Sequence, residues 1–417
     1  MNRQLLTGNG AAAWGVRLSR AEYIPAFPIT PQTEIIETLS AWIGSGEMSA
    51  RLVTLESEHS MITAAGSAAA TGVRVFSATS SQGLLYAMEM IYTVAGWRMP
   101  FVLVNVSRGL SAPITLEPDH NDILAARDSG FLQLHCSTCQ EVLDSILIAY
   151  RLAEDRSVRL PVMVNLDGFY LSFTRESVDI PGKDRAEAFV GHFDHENMAF
   201  RAGTPTSQAV AVLGGAPYSY FRYEMHLAAQ QALAVYDLLA GEFREVFGRE
   251  HPAVEAYQAD DAEMVFVMIG SFATKAKEAV RQLRASGIKA GLIRPRLVRP
   301  FPSQHLLSLL KGVKGVAVVD QNISMGKGGI LHTELAASIY GQPHAPALLG
   351  FIGGLGGRDI AQEEFYEMAK ITLDAARSGL IPEPRMLYTA DELLHVRKLQ
   401  LLARAERSNR CDDHDRP

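Results

Sequence analysis

Short apolar runs alternate with segments of helical periodicity along the first 170 residues of the chain. Apolar residues recur at helical spacing within 31–42, and alanine-rich helices are predicted at 10–21 and 57–70. Further helices are predicted at 84–92 and 139–153, and strands at 22–26, 52–55, 73–78, 101–106 and 161–165. The run 101–106 is apolar on both faces, as a buried parallel strand is. This alternation predicts a doubly wound parallel α/β sheet.

The alternation is interrupted between residues 170 and 262, where Pro and Gly turns are frequent and only 223–247 is predicted as a helix. We interpret the segment from about 171 as a long connection that wraps the first domain. Beyond it, strands are predicted at 264–269, 290–293, 316–320 and 348–352, and helices at 274–285, 303–310 and after 326–329. The chain is therefore expected to form a first domain over 1–250, a second α/β domain over 251–380 and a C-terminal arm over 381–417, with a frayed tail at 413–417.

Composition narrows the class of protein without indicating its chemistry. A chain of 417 residues with 47% hydrophobic and 20% charged residues is typical of a globular protein with more than one domain. The net charge of -7 argues against a nucleic-acid partner, because the field of the whole chain repels phosphates. No apolar run approaches the ~20 residues that span a bilayer, and no signal peptide is recognised. Three cysteines fit a reducing compartment, so a cytoplasmic location without a membrane is expected.

Two polar segments follow neighbouring predicted strands and carry the candidate chemistry. The first is 27–34, with Thr30 between two prolines, and the second is 56–60, with Glu56 and Glu58. Ligands of open α/β sheets bind outside the carboxyl ends of the strands, which is where both segments are predicted to lie. The two segments are therefore expected to form opposite walls of a ligand crevice.

Several stretches of the chain, in order, resemble the alpha subunit of pyruvate:ferredoxin oxidoreductase and related 2-oxoacid:ferredoxin oxidoreductases. The resemblance covers about residues 9–376, and its order along the chain is more specific than any single piece. The matching stretches are 27–33 (FPITPQT), 56–60 (ESEHS), 80–84 (SSQGL), 105–113 (NVSRGLSAP), 119–122 (DHND), 166–170 (LDGFY) and 299–302 (RPFP). This resemblance implies a thiamine diphosphate pyrimidine-binding first domain and a second domain similar to the C-terminal domain of transketolases.

Glu58 is the first candidate catalytic residue. In the family that the chain resembles, a glutamate binds the pyrimidine ring nitrogen of thiamine diphosphate and favours the imino form that deprotonates the thiazolium carbon. The resemblance assigns this role to Glu58, and Pro28 and Ile29 are implied to contact the pyrimidine. From the residues alone, Glu58 can equally be a glutamate in the first turn of a helix, where the helix dipole favours it. Glu56 is interpreted as structural.

Arg108 and Thr30 are the candidate substrate-binding residues. A guanidinium holds a carboxylate through two parallel charge-assisted hydrogen bonds, and Arg108 follows the apolar run 101–106. The resemblance implies that Arg108 binds the carboxylate of a 2-oxoacid and that Thr30 binds the same substrate. The alternatives are a surface loop for Arg108 and an N-cap for Thr30, which can coexist with substrate binding.

The sequence contains no Gly-Asp-Gly stretch, which family members use to hold the diphosphate and its Mg²⁺. The resemblance therefore implies a thiamine site shared with a beta subunit, with Mg²⁺ and iron–sulfur clusters only on partner subunits. Gamma and delta-type subunits, ferredoxin and coenzyme A are the other partners that it implies. We expect no metal site in this chain, and a structural role is favoured for Cys136 and Cys139, a pair with CxxC spacing but no second pair.

The expected function is that of the alpha subunit of a 2-oxoacid:ferredoxin oxidoreductase, active only with partner subunits. Pyruvate matches the motifs best, although the sequence specifies neither the 2-oxoacid nor the direction of the reaction. Two alternatives remain open. One is a beta-type subunit of a lipoamide-linked 2-oxoacid dehydrogenase, and the other is a non-catalytic scaffold subunit.

Overall fold

A computed structural model of the chain describes residues 2–193, 195, 199–207 and 210–414, with side chains described through residue 405. Its first part contains most of one open sheet and the helices around it. In chain order its elements are β1 (Asn2–Thr7), α1 (Gly8–Leu18), β2 (Tyr23–Ala26), α2 (Thr33–Gly44), β3 (Arg51–Thr54), α3 (Glu58–Ala69), β4 (Phe76–Thr79), α4 (Ser81–Tyr86), α5 (Met88–Trp97), β5 (Val102–Ser107), α6 (Asn121–Ala125), β6 (Leu132–His135), α7 (Cys139–Glu154), β7 (Val162–Asp167), β8 (Arg175–Ile180), α8 (Lys183–Val190) and α9 (Gly215–Phe247).

The second part of the chain contains a second open sheet. Its elements are β9 (Val254–Tyr257), β10 (Met264–Val267), α10 (Ala273–Ala285), β11 (Ala290–Pro295), β12 (Leu297–Arg299), α11 (Ser303–Leu309), β13 (Gly315–Asp320), α12 (Ile330–Ile339), β14 (Ala347–Ile352), α13 (Gln362–Ser378), β15 (Arg385–Met386) and α14 (Ala390–His414). A single 3-10 turn, Leu355–Gly357, follows β14. None of the described helices is both long and apolar enough to cross a lipid bilayer.

Parallel pairing dominates both sheets, as the apolar strands predict. The first has the order β12-β6-β7-β5-β4, and the parallel pair β2-β3 adjoins β4 through a bridge between Tyr23 and Val75. The second has the order β15-β14-β13-β10-β11-β9, in which only β9 is antiparallel to its neighbour. The central strands β5 and β7 are buried along their whole length, which explains their uninterrupted apolar sequences.

One strand crosses between the two parts of the chain. β12 follows β11 of the second sheet after a single residue, yet it pairs antiparallel with β6 at the edge of the first sheet. This pairing covers a sheet edge that would otherwise expose unpaired backbone groups. The main hydrophobic core accordingly runs without a break from Val104 in β5 to Ile293 in β11 and Val316 in β13. A smaller core lies on the opposite face of the second sheet, beneath α10 and α13.

The expected connection between 170 and 262 contains more regular structure than one helix. β8 pairs antiparallel with β1, and α8, an extended α9 beginning at Gly215 and β9 follow. The expectation of a single helix at 223–247 is therefore wrong. Only alternate residues at the end of β8 are buried, so its hydrophobic pattern is weak. β1 and β6 were not predicted because neither contains a long apolar run.

The C-terminal segment is helical where a frayed tail was expected. α14 extends through His414, and residues 415–417 of the expected tail lie outside the described residues. The described side chains of α14 are mostly exposed, including Leu394, Leu401 and Leu402. The division of the chain at residues 250 and 380 stays a prediction. β12 lies beyond residue 250 in the sequence but pairs with β6 of the first sheet.

Candidate functional site

The ends of four neighbouring strands form the candidate site. In the order β5, β4, β2 and β3 across the sheet, their carboxyl ends lead into the segments that hold Arg108, Ser81, Thr30 and Glu58. Parallel strands place their carboxyl ends at one edge, so residues far apart in sequence are brought side by side. The two walls predicted from the sequence therefore lie at one edge of the first sheet.

Glu58 is the first residue of α3 and is only 5% exposed. The preceding Ser57 caps the helix, because its side chain accepts a 3.1 Å hydrogen bond from the backbone N–H of Ser60. Within the described part of the chain, no side chain or backbone group donates a hydrogen bond to the Glu58 carboxylate. Glu56, by contrast, is exposed and accepts a hydrogen bond from the Ser60 hydroxyl. Glu58 is therefore buried and its carboxylate is free, whereas Glu56 is exposed and bonded to a nearby residue.

The turn between β4 and α4 contacts the segment that follows β5. Ser81 adopts a positive φ of 50°. Residues other than glycine rarely take this backbone conformation, and those that do cluster at functional sites. The Ser81 hydroxyl oxygen lies 2.6 Å from Oε1 of Gln82 and 3.0 Å from the carbonyl oxygen of Gly109, and its single proton is donated to one of these two acceptors at a time. The strained turn is thereby tied to the segment that follows Arg108.

Arg108 lies at the end of β5 and is 7% exposed. Its Nη1 donates to the carbonyl oxygen of Thr30 at 2.8 Å, and its Nη2 donates to Oε1 of Gln82 at 3.1 Å. Its buried Nε has no hydrogen-bond partner among the described residues. Burial lowers the pKa of the guanidinium, and the nearby Asp122 carboxylate opposes this effect. The guanidinium is thus oriented from two sides and keeps one donor unpaired.

Asp122 is fully buried and joins three parts of the site. Its Oδ2 accepts hydrogen bonds from the backbone N–H of Ser81 at 3.0 Å, the backbone N–H of Arg108 at 3.2 Å and Nδ2 of Asn105 at 3.1 Å. Its Oδ1 accepts from the N–H of Ile123 at 2.7 Å. Burial raises the pKa of this carboxyl, and the four donors oppose that shift because they favour the charged form.

A second pair of buried groups joins the first sheet to the second. His120 and Asp167 are 2.7 Å apart, and Oδ2 of Asp167 accepts hydrogen bonds from the backbone and hydroxyl of Ser271 at 2.7 and 2.6 Å. Burial by itself would lower the pKa of His120, but the charge and hydrogen bond of Asp167 raise it. The neighbouring His135 has its pKa lowered to about 3, by burial and then by the charge of His120.

The segment after Arg108 is also bound to the second sheet through its backbone. The N–H of His120 donates to the carbonyl of Gln321 at 2.8 Å, and the N–H of Gly357 donates to the carbonyl of Pro118 at 2.8 Å. The carboxyl edges of the two sheets therefore face each other across residues 108–120. The segment that follows the predicted substrate arginine is therefore held by both sheets.

The predicted residues Pro28, Ile29 and Thr30 lie together between β2 and α2. Ile29 is half-buried, and Pro28 and Thr30 are exposed. The alternative in which Thr30 is the N-cap of a helix starting at Pro31 is wrong, because α2 starts at Thr33 with Gln32 at the N-cap. The carbonyl of Thr30 is directed to Arg108 instead.

The two cysteines of the CxxC pair are free and buried. Burial raises the pKa of the Cys136 thiol to about 12, and it raises the pKa of Cys139 as well. In the part of the chain that the structure describes, no group of three or more His, Cys, Asp and Glu residues is arranged to hold a metal ion. Both thiols therefore have the environment of packed core residues.

Three residues with clear positions in the site were not among the candidate site residues named from the sequence. Gln82 orients Arg108, Asp122 joins the β4 and β5 ends, and Gly83 lies against Glu58. All three belong to stretches that carry the family resemblance, 80–84 and 119–122, which was the signal available for finding them. Their roles depend on contacts between strand ends, and these cannot be deduced from spacing.

Sequence comparisons place the chain among redox enzymes that act on 2-oxoacids. The family described as "Pyruvate flavodoxin/ferredoxin oxidoreductase, thiamine diP-bdg" matches residues 15–239, and "Pyruvate:ferredoxin oxidoreductase core domain II" matches residues 262–365. Pyruvate synthase subunit PorA of Methanothermobacter thermautotrophicus is 40% identical over 380 residues, which cover 90% of this chain and 96% of that protein. Ketoisovalerate oxidoreductase subunit VorA of Pyrococcus abyssi is 38% identical over 379 residues, covering 90% and 95%.

Solved structures with the same fold include a ferredoxin-dependent oxidoreductase and a transketolase. A 2-oxoglutarate:ferredoxin oxidoreductase from Magnetococcus marinus superposes with a TM-score of 0.70 at 19% identity, covering 89% of this chain and 65% of that one. A split-gene transketolase superposes with a TM-score of 0.53 at 12% identity, covering 88% of this chain and 97% of that one. At these identities the likeness concerns the fold alone. Together with the family match, it confirms the predicted fold class.

Proposed function

Because this chain belongs to the pyruvate flavodoxin/ferredoxin oxidoreductase family, we propose that it is the alpha-type subunit of a 2-oxoacid:ferredoxin oxidoreductase. The reaction is the decarboxylation of pyruvate or a related 2-oxoacid to an acyl-CoA and CO₂, with two electrons passed to ferredoxin, or its reverse. The observation that carries the proposal is the placement of a buried glutamate with a free carboxylate and a buried arginine at neighbouring strand ends.

The described residues are suited to the pyrimidine side of thiamine diphosphate. Burying a polar group without a partner costs about 1 to 3 kcal/mol, so such groups are retained where a ligand satisfies them. Glu58 is 5% exposed, and the hydroxyl oxygen of Thr79 beside it is buried without a hydrogen-bond partner among the described residues. Thiamine diphosphate, when bound, supplies the carbon nucleophile and the electron sink for loss of CO₂.

In this proposal, Glu58 exchanges a proton with the pyrimidine ring nitrogen, and Pro28 and Ile29 line the ring. A carboxyl group in hydrogen-bond contact with that nitrogen acts as a general acid and base through the cofactor. The burial of Glu58 supports the role, because a water-filled site would supply competing hydrogen bonds. Glu58 is thus the proposed catalytic residue of the chain.

Arg108 binds the substrate carboxylate in this proposal, and Thr30 contacts the same substrate. An arginine with its planar fork oriented in advance loses less entropy on binding a carboxylate than a free one does. The two hydrogen bonds from Arg108 to Thr30 and Gln82 supply that orientation. The exposed Thr30 hydroxyl lies next to the carbonyl that holds Arg108, which supports a shared substrate.

The diphosphate and its Mg²⁺ are proposed to be bound by a beta subunit, since the sequence has no Gly-Asp-Gly stretch. Iron–sulfur clusters are assigned to partner subunits, because three cysteines cannot ligate them. Gamma and delta-type subunits, ferredoxin and coenzyme A complete the proposed complex, and its cytoplasmic location stays a prediction. The similarity to subunits of pyruvate synthase and ketoisovalerate oxidoreductase supports this assignment over a lipoamide-linked dehydrogenase. Co-purification of a lipoyl transacylase instead of ferredoxin-type subunits would reverse that choice.

The test compares two glutamates two residues apart in the assembled complex. Viologen reduction is measured anaerobically with a panel of 2-oxoacids and coenzyme A. Glu58→Gln is expected to lower kcat by about 10²-fold or more, which is the range for loss of a general acid–base group. Glu56→Gln is the matched control and is expected to match the parent complex, because Glu56 is exposed. Unchanged turnover of Glu58→Gln would leave the scaffold alternative.

A further inference from the structure

Gly83 lies directly against the Glu58 carboxyl group. A Cβ atom at this position would be 2.4 Å from Glu58 Oε1, 2.9 Å from Glu58 Cδ and 2.7 Å from the Thr79 hydroxyl oxygen. These separations are shorter than any ordinary van der Waals contact. The missing side chain of Gly83 therefore creates the space that the carboxyl group occupies.

The backbone does not explain why this residue is glycine. Gly83 is buried within α4 and is absent from the residues of positive φ, so any L-residue can adopt its conformation. Glycine within a helix costs about 1 kcal/mol relative to alanine. A residue of low helix propensity is thus present where a Cβ atom would meet Glu58 and Thr79.

The recess beside Gly83 contains two polar groups without partners. Thr79 Oγ1 is fully buried and makes no hydrogen bond with the described residues. The Glu58 carboxylate beside it receives no hydrogen bond from the described residues, and Glu58 is 5% exposed. A recess that served packing alone would be lined by apolar groups or by paired polar ones. The lining is instead the one expected of a binding site in which a carboxylate contacts a ligand atom.

We propose that Gly83 is a positioning residue that sets the location of the Glu58 carboxylate and thereby its reach to the cofactor pyrimidine. The inference rests on the proposed function of Glu58. Both groups that a new methyl group would meet are the ends of rotatable side chains, so the fold can accommodate alanine. The Glu58 carboxylate cannot remain in place when it does so. A displacement of about 1 Å at a catalytic group costs on the order of 10²-fold in rate.

The test uses the assembled complex loaded with thiamine diphosphate and compares Gly83→Ala with Gly96→Ala. Gly96 lies in α5, and apart from its chain neighbours and the backbone of its own helix no heavy atom is within 4 Å of the position that a Cβ would take there, so its alanine variant changes helix propensity without a clash. The readouts are hydrogen–deuterium exchange at the thiazolium C2, measured by quenched-flow proton NMR, and the melting temperature. Gly83→Ala is expected to slow exchange by about 10²-fold without a lower melting temperature. Gly96→Ala is expected to exchange at the parent rate.

Each other outcome has a defined meaning. Exchange within about threefold of the parent rate in Gly83→Ala, with Glu58→Gln slow, overturns the role of Gly83 alone. Parent-like exchange in Glu58→Gln overturns the proposed function itself. A melting temperature that falls in Gly83→Ala assigns the glycine to packing and overturns the proposal. Finally, Glu58→Asp shortens the side chain, so its effect and that of Gly83→Ala must be non-additive if they act through one carboxylate.

Discussion

The guanidinium of Arg108 donates a 2.8 Å hydrogen bond to the carbonyl oxygen of Thr30. The two residues are 78 positions apart, and the contact joins the end of β5 to the segment after β2. A backbone oxygen thus fixes the orientation of the arginine, while the side chain of Thr30 remains exposed. A change of the Thr30 side chain therefore tests its proposed substrate contact while the backbone contact that orients the arginine is kept.

Arg108→Lys tests the need for the oriented fork. Lysine keeps the charge, but it cannot bond Thr30 and Gln82 from two planar nitrogens while binding a carboxylate. We expect kcat/KM for the 2-oxoacid to fall by about 10²-fold, mostly through KM, since a charged hydrogen bond contributes about 1.5 to 3 kcal/mol. The KM for coenzyme A should not change. Arg377→Lys is the control, because the side chain of Arg377 is 75% exposed. An unaltered KM for the 2-oxoacid in Arg108→Lys would show that Arg108 does not bind the substrate.

Asp122→Asn tests the link between the β4 turn and the end of β5. Asparagine has only one acceptor oxygen. It therefore cannot accept hydrogen bonds from Ser81, Arg108 and Asn105 and also the one from Ile123, which in the parent chain goes to the second carboxylate oxygen. We expect a loss of about 2 to 3 kcal/mol in the free energy of unfolding, measured with urea, and a raised KM for the 2-oxoacid. Asp128→Asn is the control, because that side chain is 60% exposed. Parent-like stability would show that Asp122 is not an acceptor for these donors.

Asp320→Asn tests a pH dependence of stability. Asp320 is buried at the end of β13, and burial raises its pKa from 3.8 to about 7 in the folded chain. The folded state then binds a proton that the unfolded state releases between about pH 4 and pH 7, so stability is highest below that window and falls as pH rises through it. The shift of about 3 pKa units corresponds to about 4 kcal/mol at most.

The measurement is the free energy of unfolding between pH 5 and pH 8. The parent chain is expected to lose stability over this interval relative to Asp320→Asn, because asparagine has no proton to release. Asp374→Asn changes an aspartate whose side chain is 59% exposed and should follow the parent curve. Equal slopes for Asp320→Asn and the parent would contradict the raised pKa.

Much of the local structure followed from short-range pattern. α3 and α7 begin within a residue of the predicted positions, because alanine content, helical spacing and capping by Ser57 and Thr138 are local properties. β1, β8 and β12 were not predicted, since none contains a long apolar run: β1 and β8 pair with each other in a two-stranded sheet, and β12 lies at the edge of the first sheet. Their stability depends on the partner strand, and no feature of the segment itself identifies that partner.

The identity of the chemical groups and their position after strands could be deduced from residue types and order along the chain. Apolar runs followed by Thr30, Glu58 and Arg108 are sufficient to predict a ligand edge, because parallel strands end on one side of a sheet. Tertiary structure decided which groups touch. It directed Arg108 to the Thr30 carbonyl, placed Asp122 against two strand ends and seated Glu58 against Gly83. These contacts arise from the lateral order of the strands, which is set by packing of the whole sheet rather than by any local segment.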